Sequence, residues 1–207
     1  MKKNDIGVIF ILSEIIALFS SFVLSVNNFD LFPIWFLFII LPVLAIIANF
    51  IAYFISKKIP VIFQLAKYFT VGIANTVVDL GILSLLMLIS GIALGTVYSV
   101  FKGISFIIAV IHSYFWNKHW TFNAIKTTKT KKEFYQFFVI SLIGFAINVG
   151  IASLVVNVIK SQFGVSEELW ATIGAVIGSI IGLAWNYLGY KLIVFKEKDE
   201  QQPSNLS

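Results

Sequence analysis

The sequence of 207 residues contains no cysteine and no arginine, and only two histidines. The absence of cysteine excludes disulfides and thiolate metal sites, and with so few histidines we expect no metal centre and no cofactor. Charge is scarce as well, since charged residues make up 12% of the chain, about half of the roughly 25% found in soluble domains. A chain with so little charge cannot cover a water-facing surface, which excludes an ordinary soluble domain.

Long apolar runs fill most of the chain. Hydrophobic residues make up 59% of the sequence, and the mean hydropathy is +0.94. Each run is close to the roughly 20 residues that a helix needs to cross the hydrocarbon, and the runs lack the alternation of barrel strands. The sequence therefore predicts an all-α integral membrane protein with six transmembrane helices. The predicted spans are residues 6–26, 33–55, 66–90, 95–116, 134–159 and 169–190.

The lysines predict how the spans are oriented. All fifteen basic residues are lysines, and six spans place every lysine except Lys102 and Lys160 on one side of the membrane. The positive-inside rule makes that side cytoplasmic, together with both termini. We interpret the lysines as topology signals and lipid contacts rather than as a nucleic-acid site. Lys2 and Lys3 precede the first span as in a signal peptide, but no small-residue cleavage site follows, so we expect an uncleaved anchor.

The last four spans contain an internal repeat. Residues 67–82 align with 136–151, and residues 113–122 align with 186–195. The aligned pairs include Phe69 with Phe138, Asp79 with Asn148, Gly81 with Gly150, Tyr114 with Tyr187 and Lys118 with Lys191. Each copy holds two spans, so the repeat is parallel. Such halves frame a pathway at their interface in some transporters, and duplication of a packing unit is the alternative.

Two motifs in the first copy identify a family. An aromatic residue is followed by the pattern Gly-x-x-Asn-x-x-x-Asp-x-Gly, here Phe69, Gly72, Asn75, Asp79 and Gly81. The next span closes in Asn-Lys-His-Trp-Thr-Phe at residues 117–122. Residues 67–122 and 133–195 resemble the GtrA-like family of small four-span bacterial proteins. The resemblance implies a GtrA-like domain at 61–196, an added transmembrane hairpin at 1–60 and a cytoplasmic tail at 197–207, which we expect to be disordered.

The resemblance implies a role in the bacterial cytoplasmic membrane. Family members are thought to flip polyprenyl-phosphate-linked sugars to the outer leaflet for glycosylation of cell-surface polysaccharides. A separate membrane glycosyltransferase makes the lipid-linked sugar and is the expected protein partner. This sequence departs from the family pattern in its extra hairpin, a possible partner-binding element, and in carrying Ser113 where the second copy has Asn186. Tyr190 also stands where the first copy has Asn117, which argues against a symmetric role for these asparagines.

Polar side chains inside the third and fourth spans are the first candidates for a sugar pathway. Asn75 and Asp79 are four residues apart and share a helix face, and Asp79 lies near mid-membrane. An acidic group there costs about 2.5–3.5 kcal/mol on insertion scales, so it needs a partner, and Lys102 is the candidate. We predict a polar pathway through Asn75, Asp79 and Lys102, with Asn148 as the counterpart in the second copy. The alternative is a structural ion pair that fastens two helices.

Polar groups at the inner ends of the spans are candidates for holding the lipid phosphate. Lys118 and Lys191 carry the charge there, beside His119, and Asn117 and Asn186 could donate hydrogen bonds. The alternative for the lysines is ordinary positive-inside topology.

An acidic residue in the first span and a row of glycines in the sixth leave more than one interpretation open. Glu14 is an acid inside the first span, where it could couple proton movement to transport, stay protonated or contact a partner protein. Gly174, Gly178 and Gly182 form a small-residue ladder on the sixth span. We expect this ladder to pack internally, with span four as the candidate partner, and a homodimer is the alternative.

No catalytic constellation, nucleotide loop or large cytoplasmic domain is visible, so we expect a protein that is not an enzyme. Three functions remain open: a translocator, a non-transporting subunit that anchors a glycosyltransferase, and a small proton-coupled exporter that uses Glu14 and Asp79. A translocator predicts a lateral opening lined by Asn75, Asp79 and Lys102. A subunit predicts tight packing there and an apolar docking face on the hairpin.

Overall fold

The computed structural model describes residues 1–27, 33–92, 95–124, 130–159, 162, 164 and 167–196. Helices account for all regular structure in these ranges, without a strand. Lys126, Lys129, Lys160 and the tail from residue 197 lie outside the described residues. The chain divides into two compact units, Met1–Ile125 (unit 1) and Lys126–Ser207 (unit 2).

Unit 1 is built from four long helices. They are α1 (Lys3–Val26), α2 (Leu37–Ser56), α3 (Val61–Ser90) and α4 (Gly95–Trp116). A 3-10 turn at Ile34–Phe36 leads into α2, and a π-helical turn at Asn117–Thr121 continues α4. Pro60 stands directly before α3, where its missing N–H costs nothing, and Gly91 ends α3 in the left-handed region with φ 68°.

The hairpin helix α1 packs along α3 in the same direction. Asp5 reaches Lys67 near the start of both helices, and the Phe19 ring further along lies so close to Gly81 that any Cβ there would overlap it. The core of unit 1 includes a cluster of Ile9, Leu12, Ile16, Val71, Ala74 and Trp120. We call the end where α1 and α3 begin the lysine-rich end, since it carries Lys2, Lys3, Lys57, Lys58 and Lys67.

Unit 2 is a pair of helices that pack closely against each other at glycine residues. They are α5 (Thr130–Ser153), continued by a π-helical segment at Leu154–Ile159, and α6 (Glu167–Gly189), continued by a π-helical turn at Tyr190–Val194. The glycine ladder of α6 faces α5: Gly174 meets Ala152, Gly178 meets Asn148 and Gly182 meets Gly144. The ladder therefore packs internally, but the expectation that span four receives it was wrong, because α5 brings its own small residues to the crossing.

The two repeat copies end in the same local structure. Each copy ends in a π-helical turn at an aligned position, Asn117–Thr121 in the first and Tyr190–Val194 in the second. In each turn a backbone N–H donates to the carbonyl oxygen of the residue five positions earlier. These bonds run from Phe122 to Asn117 at 2.9 Å and from Phe195 to Tyr190 at 2.8 Å. Because π-helical turns are rare, their recurrence at aligned positions agrees with the repeat found in the sequence.

The described residues include six helices that are long and apolar enough to cross a membrane. Their outer faces carry large apolar side chains such as Leu18, Ile51 and Leu88, each more than half exposed. Since faces of this kind are costly in water and favourable in lipid, the chain is a multi-pass membrane protein, and the six-span prediction is confirmed. The fourth and sixth spans continue past their predicted ends at residues 116 and 190 because the π-helical turns extend them.

Candidate functional site

Asp79 is the centre of a polar cluster between α3 and α4. Its Oδ1 accepts a hydrogen bond from the Ser105 hydroxyl at 2.6 Å, and its Oδ2 accepts one from the Lys102 ammonium. The predicted Asp79–Lys102 pairing is therefore present, with Ser105 as a partner that the sequence did not indicate. Ser105 is fully buried, whereas the Lys102 side chain is 42% exposed and that of Asp79 19%. The Lys102 side chain thus remains partly accessible.

Three asparagines in unit 1, Asn49, Asn75 and Asn117, have buried amide oxygens without a hydrogen-bond partner among the described residues. Asn75 lies one helical turn from Asp79, and its Oδ1 is buried. Asn117 is 1% exposed, and its NH₂ group donates to the Ser113 carbonyl at 2.9 Å and hydroxyl at 3.2 Å, but its Oδ1 is also buried without a partner. A buried acceptor without a donor costs about 1–3 kcal/mol. The amide oxygens of Asn75 and Asn117 can therefore accept a hydrogen bond from a hydroxyl group that enters the bundle.

The two lysines predicted to hold phosphate differ in exposure. The Lys118 ammonium lies 3.4 Å from the Tyr114 hydroxyl and 5.7 Å from the centre of its ring, and the residue is buried. Lys191 lies over the aligned Tyr187 ring at 5.6 Å, but it is exposed. Each copy thus holds its lysine against its own tyrosine, and Lys191 presents the more accessible charge.

In unit 2 the asparagines hold α5 and α6 together. The Asn148 NH₂ group donates to the Ser179 hydroxyl at 3.2 Å, so the counterpart of Asp79 also meets a serine on the next helix. Asn186 lies directly against Gly144, where a Cβ would overlap its side chain, and its Oδ1 has no partner in the described part of the chain. The alignment pairs Gly144 with Asn75 and Asn186 with Ser113. The first copy therefore carries this asparagine on its first helix, and the second copy carries it on its second helix.

Glu14 lies on the outward face of α1. It is half-buried, between the exposed side chains of Phe10 and Leu18 one turn to either side, and it makes no hydrogen bond or ion pair with the described residues. His112 on α4 is half-buried as well, and neither of its ring nitrogens has a partner in those ranges.

The sequence did not reveal a second charged cluster, at the lysine-rich end. Asp5 pairs with Lys67 at 2.5 Å and also accepts a hydrogen bond from the Trp120 indole at 3.1 Å. Lys67 lies 62 residues and Trp120 115 residues from Asp5 along the chain. The only local signal was an acidic residue in the first turn of α1, which by itself indicates no more than a favourable helix start.

A cavity of about 290 Å³ opens between α1 and α3. Its walls are mostly apolar, and they are formed by Ser20, Val23, Leu24, Val77 and Leu80. None of the three residues for which we predicted a lateral opening lines this cavity, so that opening stays a prediction.

Comparisons with known proteins agree with the sequence motifs. The transmembrane domain of the GtrA/DPMS family matches residues 67–195, which cover most of α3 and all of α4, α5 and α6. A curated protein described as uncharacterized membrane protein YngA, from Bacillus subtilis (strain 168), is 30% identical over 131 residues, which are 63% of this chain and 78% of that protein. No solved structure matches the chain. The GtrA/DPMS domain is evidence for a membrane protein that handles polyprenyl-linked sugars. Because the family match covers more than half of the sequence, this multi-pass membrane protein belongs to the GtrA-like family.

Proposed function

We propose that this protein translocates a polyprenyl-phosphate-linked sugar across the bacterial cytoplasmic membrane for glycosylation of a cell-surface polysaccharide. Membership of the GtrA-like family is evidence for the handling of polyprenyl-linked sugars, and members of this family are generally non-catalytic membrane proteins. In this proposal a separate membrane glycosyltransferase makes the lipid-linked sugar. The lysine-rich end faces the cytoplasm together with both termini, in agreement with the positive-inside rule.

The observation that carries the proposal is a row of polar groups along α3 and α4. Asn117 lies near the lysine-rich end, and Ser105 beside Asp79 lies about 18 Å further along the same helix at 1.5 Å per residue. This distance is more than half of the roughly 30 Å hydrocarbon core. The buried amide oxygens of Asn75 and Asn117 lack donors among the described residues, and hydroxyl groups of a sugar are donors of the required kind.

The Asp79–Lys102 pair suits a headgroup that arrives and leaves. While the pair is closed, each charge has a partner, so neither is left alone in the membrane. The exposed side of Lys102 can bind a sugar or phosphate oxygen, while Asp79 keeps the Ser105 hydrogen bond. The polyprenyl tail meanwhile stays in lipid against the apolar outer faces. The sugar-phosphate headgroup then moves from one polar side chain to the next without entering the hydrocarbon core of the bilayer.

Leaflet-resolved transport tests this proposal. The purified full chain is placed in liposomes containing a polyprenyl-phosphate-linked sugar, and the fraction that becomes accessible to an external probe is followed over time. The wild type is expected to speed the exchange, and Lys102→Met and Asp79→Asn are expected to abolish most of the gain. Lys57→Met removes an exposed lysine whose ammonium lies over Phe54, and it serves as the matched control. Wild-type rates in both pathway variants would remove these residues from the mechanism.

A glycosyltransferase-anchoring subunit is the second candidate, because Ser105 and Lys102 satisfy both oxygens of Asp79 as they would in a structural pair. It predicts no translocation by the protein alone, but higher activity or stability of a co-reconstituted membrane glycosyltransferase. An exporter that uses Glu14 and Asp79 fits less well, since the Asp79 carboxylate is already paired with a lysine.

A further inference from the structure

Three segments of unit 1 converge on the carboxylate of Asp5. Its Oδ1 accepts hydrogen bonds from the Lys67 ammonium at 2.5 Å and from the Trp120 indole N–H at 3.1 Å, and its Oδ2 accepts one from the Lys2 backbone N–H at 2.8 Å. The Asp5 side chain is 9% exposed and that of Lys67 14%. A single buried carboxylate thus joins the N-terminus, α3 and the π-helical turn.

Local helix structure explains only one of these bonds. An acidic residue in the first turn of a helix is favourable because its carboxylate meets backbone N–H groups and the positive end of the helix dipole. The bond from the Lys2 N–H to Asp5 is of this kind. Lys67 and Trp120 belong to other segments, so the start of helix α1 does not explain their bonds to Asp5.

The two distant donors form a defined anion-binding pair. The Lys67 ammonium lies over two aromatic rings, 4.6 Å from the centre of Phe63 and 5.3 Å from that of Trp120, which hold it in place. The Trp120 indole can only donate, so its buried N–H requires an acceptor. Lys67 and Trp120 lie inside the family match, whereas Asp5 belongs to the added N-terminal hairpin. A residue outside the family domain therefore supplies the anion that two residues within it bind.

We propose that Lys67 and Trp120 form a binding site for the phosphate group of a membrane lipid, and that Asp5 occupies this site as an internal competitor when no lipid phosphate is bound. A phosphate carries at least the charge of a carboxylate and offers several acceptor oxygens, so it can accept bonds from both donors after Asp5 withdraws. The inference rests on the proposed function, since it names where the phosphate of the lipid-linked sugar docks. The N-terminal end of α1 then moves whenever that phosphate binds.

Native mass spectrometry of the purified full chain measures this binding. The probes are undecaprenyl monophosphate, undecaprenol, which lacks the phosphate, and inorganic phosphate, which lacks the lipid. Asp5→Asn is expected to tighten undecaprenyl monophosphate binding by at least about tenfold, because an internal anion competes at an effective concentration on the order of millimolar. Lys67→Met in the Asp5→Asn background removes this gain, whereas Lys58→Met, at an exposed lysine of the same end, leaves it intact.

The remaining probes assign the source of the anion. Undecaprenol binding stays unchanged by Asp5→Asn if the phosphate is what is recognised. Inorganic phosphate that competes equally well on its own shows a site for free phosphate and overturns the lipid assignment. Unchanged or weaker undecaprenyl monophosphate binding in a folded Asp5→Asn protein shows that Asp5 only fastens α1 to α3, and overturns the proposal.

A second measurement needs no change at Asp5, in case Asp5→Asn fails to fold. The chain has no cysteine, so Lys3→Cys and Lys58→Cys introduce the only two spin-label sites, both at exposed positions of the lysine-rich end. Undecaprenyl monophosphate is expected to broaden or shift the distance distribution between the labels, and undecaprenol is expected to leave it unchanged. An unchanged distribution with saturating monophosphate contradicts the release of Asp5. Binding and movement without translocation in liposomes would leave this site standing while the proposed function fails.

Discussion

Gly178 on α6 faces the backbone carbonyl of Asn148 on α5 so closely that a Cβ at residue 178 would overlap the oxygen. The next atoms that a Cβ would meet, the backbone nitrogen and the Cβ of Ala152, lie at 3.2 and 3.3 Å. These neighbours are backbone or short side-chain atoms, which cannot rotate away. The small-residue ladder thus sets the distance between the two helices of unit 2.

Gly178→Ala is therefore expected to destabilise unit 2. Overpacking of this kind costs about 1–3 kcal/mol, because the helices must separate to admit the methyl group. Thermal unfolding of the purified protein in detergent measures the effect as a lower midpoint temperature. Gly150→Ala is the matched control, since a Cβ there meets no atom within 4 Å, and it should keep or slightly raise the midpoint because alanine is the better helix former. Equal midpoints for the two variants would show that the crossing is looser than described.

The sequence was sufficient to predict the spans and the repeat. Both depend on patterns along the chain: runs of apolar residues near bilayer length, and aligned residues such as Asp79 with Asn148. The Asp79–Lys102 pair was also predictable, because a charged group in hydrocarbon requires a partner and Lys102 was the only lysine beyond the first turn of a predicted span. In each case the cost of exposing a polar group to lipid limits the alternatives.

Removing only one charge of the Asp79–Lys102 pair is expected to be worse for stability than removing both. Lys102→Met leaves the Asp79 carboxylate with the Ser105 hydroxyl as its described partner and should lower the thermal midpoint. The double variant Asp79→Asn with Lys102→Met should recover much of this loss while translocation stays impaired. Thermal unfolding and liposome transport, measured on the same preparations, separate the two roles. Wild-type transport by a stable double variant would make the pair purely structural.

Contacts that join distant segments could not be read from the sequence. Asp5, Lys67 and Trp120 each had an ordinary local explanation, as a helix-start acid, a positive-inside lysine and an interfacial aromatic. Their meeting depends on how α1 packs along α3, which no local pattern specifies. The partner of the glycine ladder was missed for a similar reason: small residues predict a close crossing but do not identify which helix supplies the other side.

Glu14→Gln is expected to leave translocation of the lipid-linked sugar unchanged. Glu14 lies on the outward face of α1 and has no hydrogen bond or ion pair with the described residues, whereas the polar row runs along α3 and α4. Liposome transport at several pH values tests this expectation, with and without an imposed proton gradient. A loss of gradient-dependent transport in Glu14→Gln would instead support proton coupling through this residue.

Asn75→Leu is expected to separate transport from stability most clearly. Leucine keeps the branched shape of the asparagine side chain, although its methyl groups are bulkier, and it removes a buried amide oxygen that lacks a hydrogen-bond donor among the described residues. Since such an oxygen costs about 1–3 kcal/mol, the thermal midpoint should stay the same or rise. Translocation should fall severalfold, because a sugar hydroxyl loses its acceptor one turn from Asp79. Asn157→Leu, at an exposed asparagine whose NH₂ group donates to Ser153, controls for loss of an amide elsewhere. Unchanged transport in a stable Asn75→Leu protein would show that the buried amide contributes to neither property, and the polar row would lose its middle position.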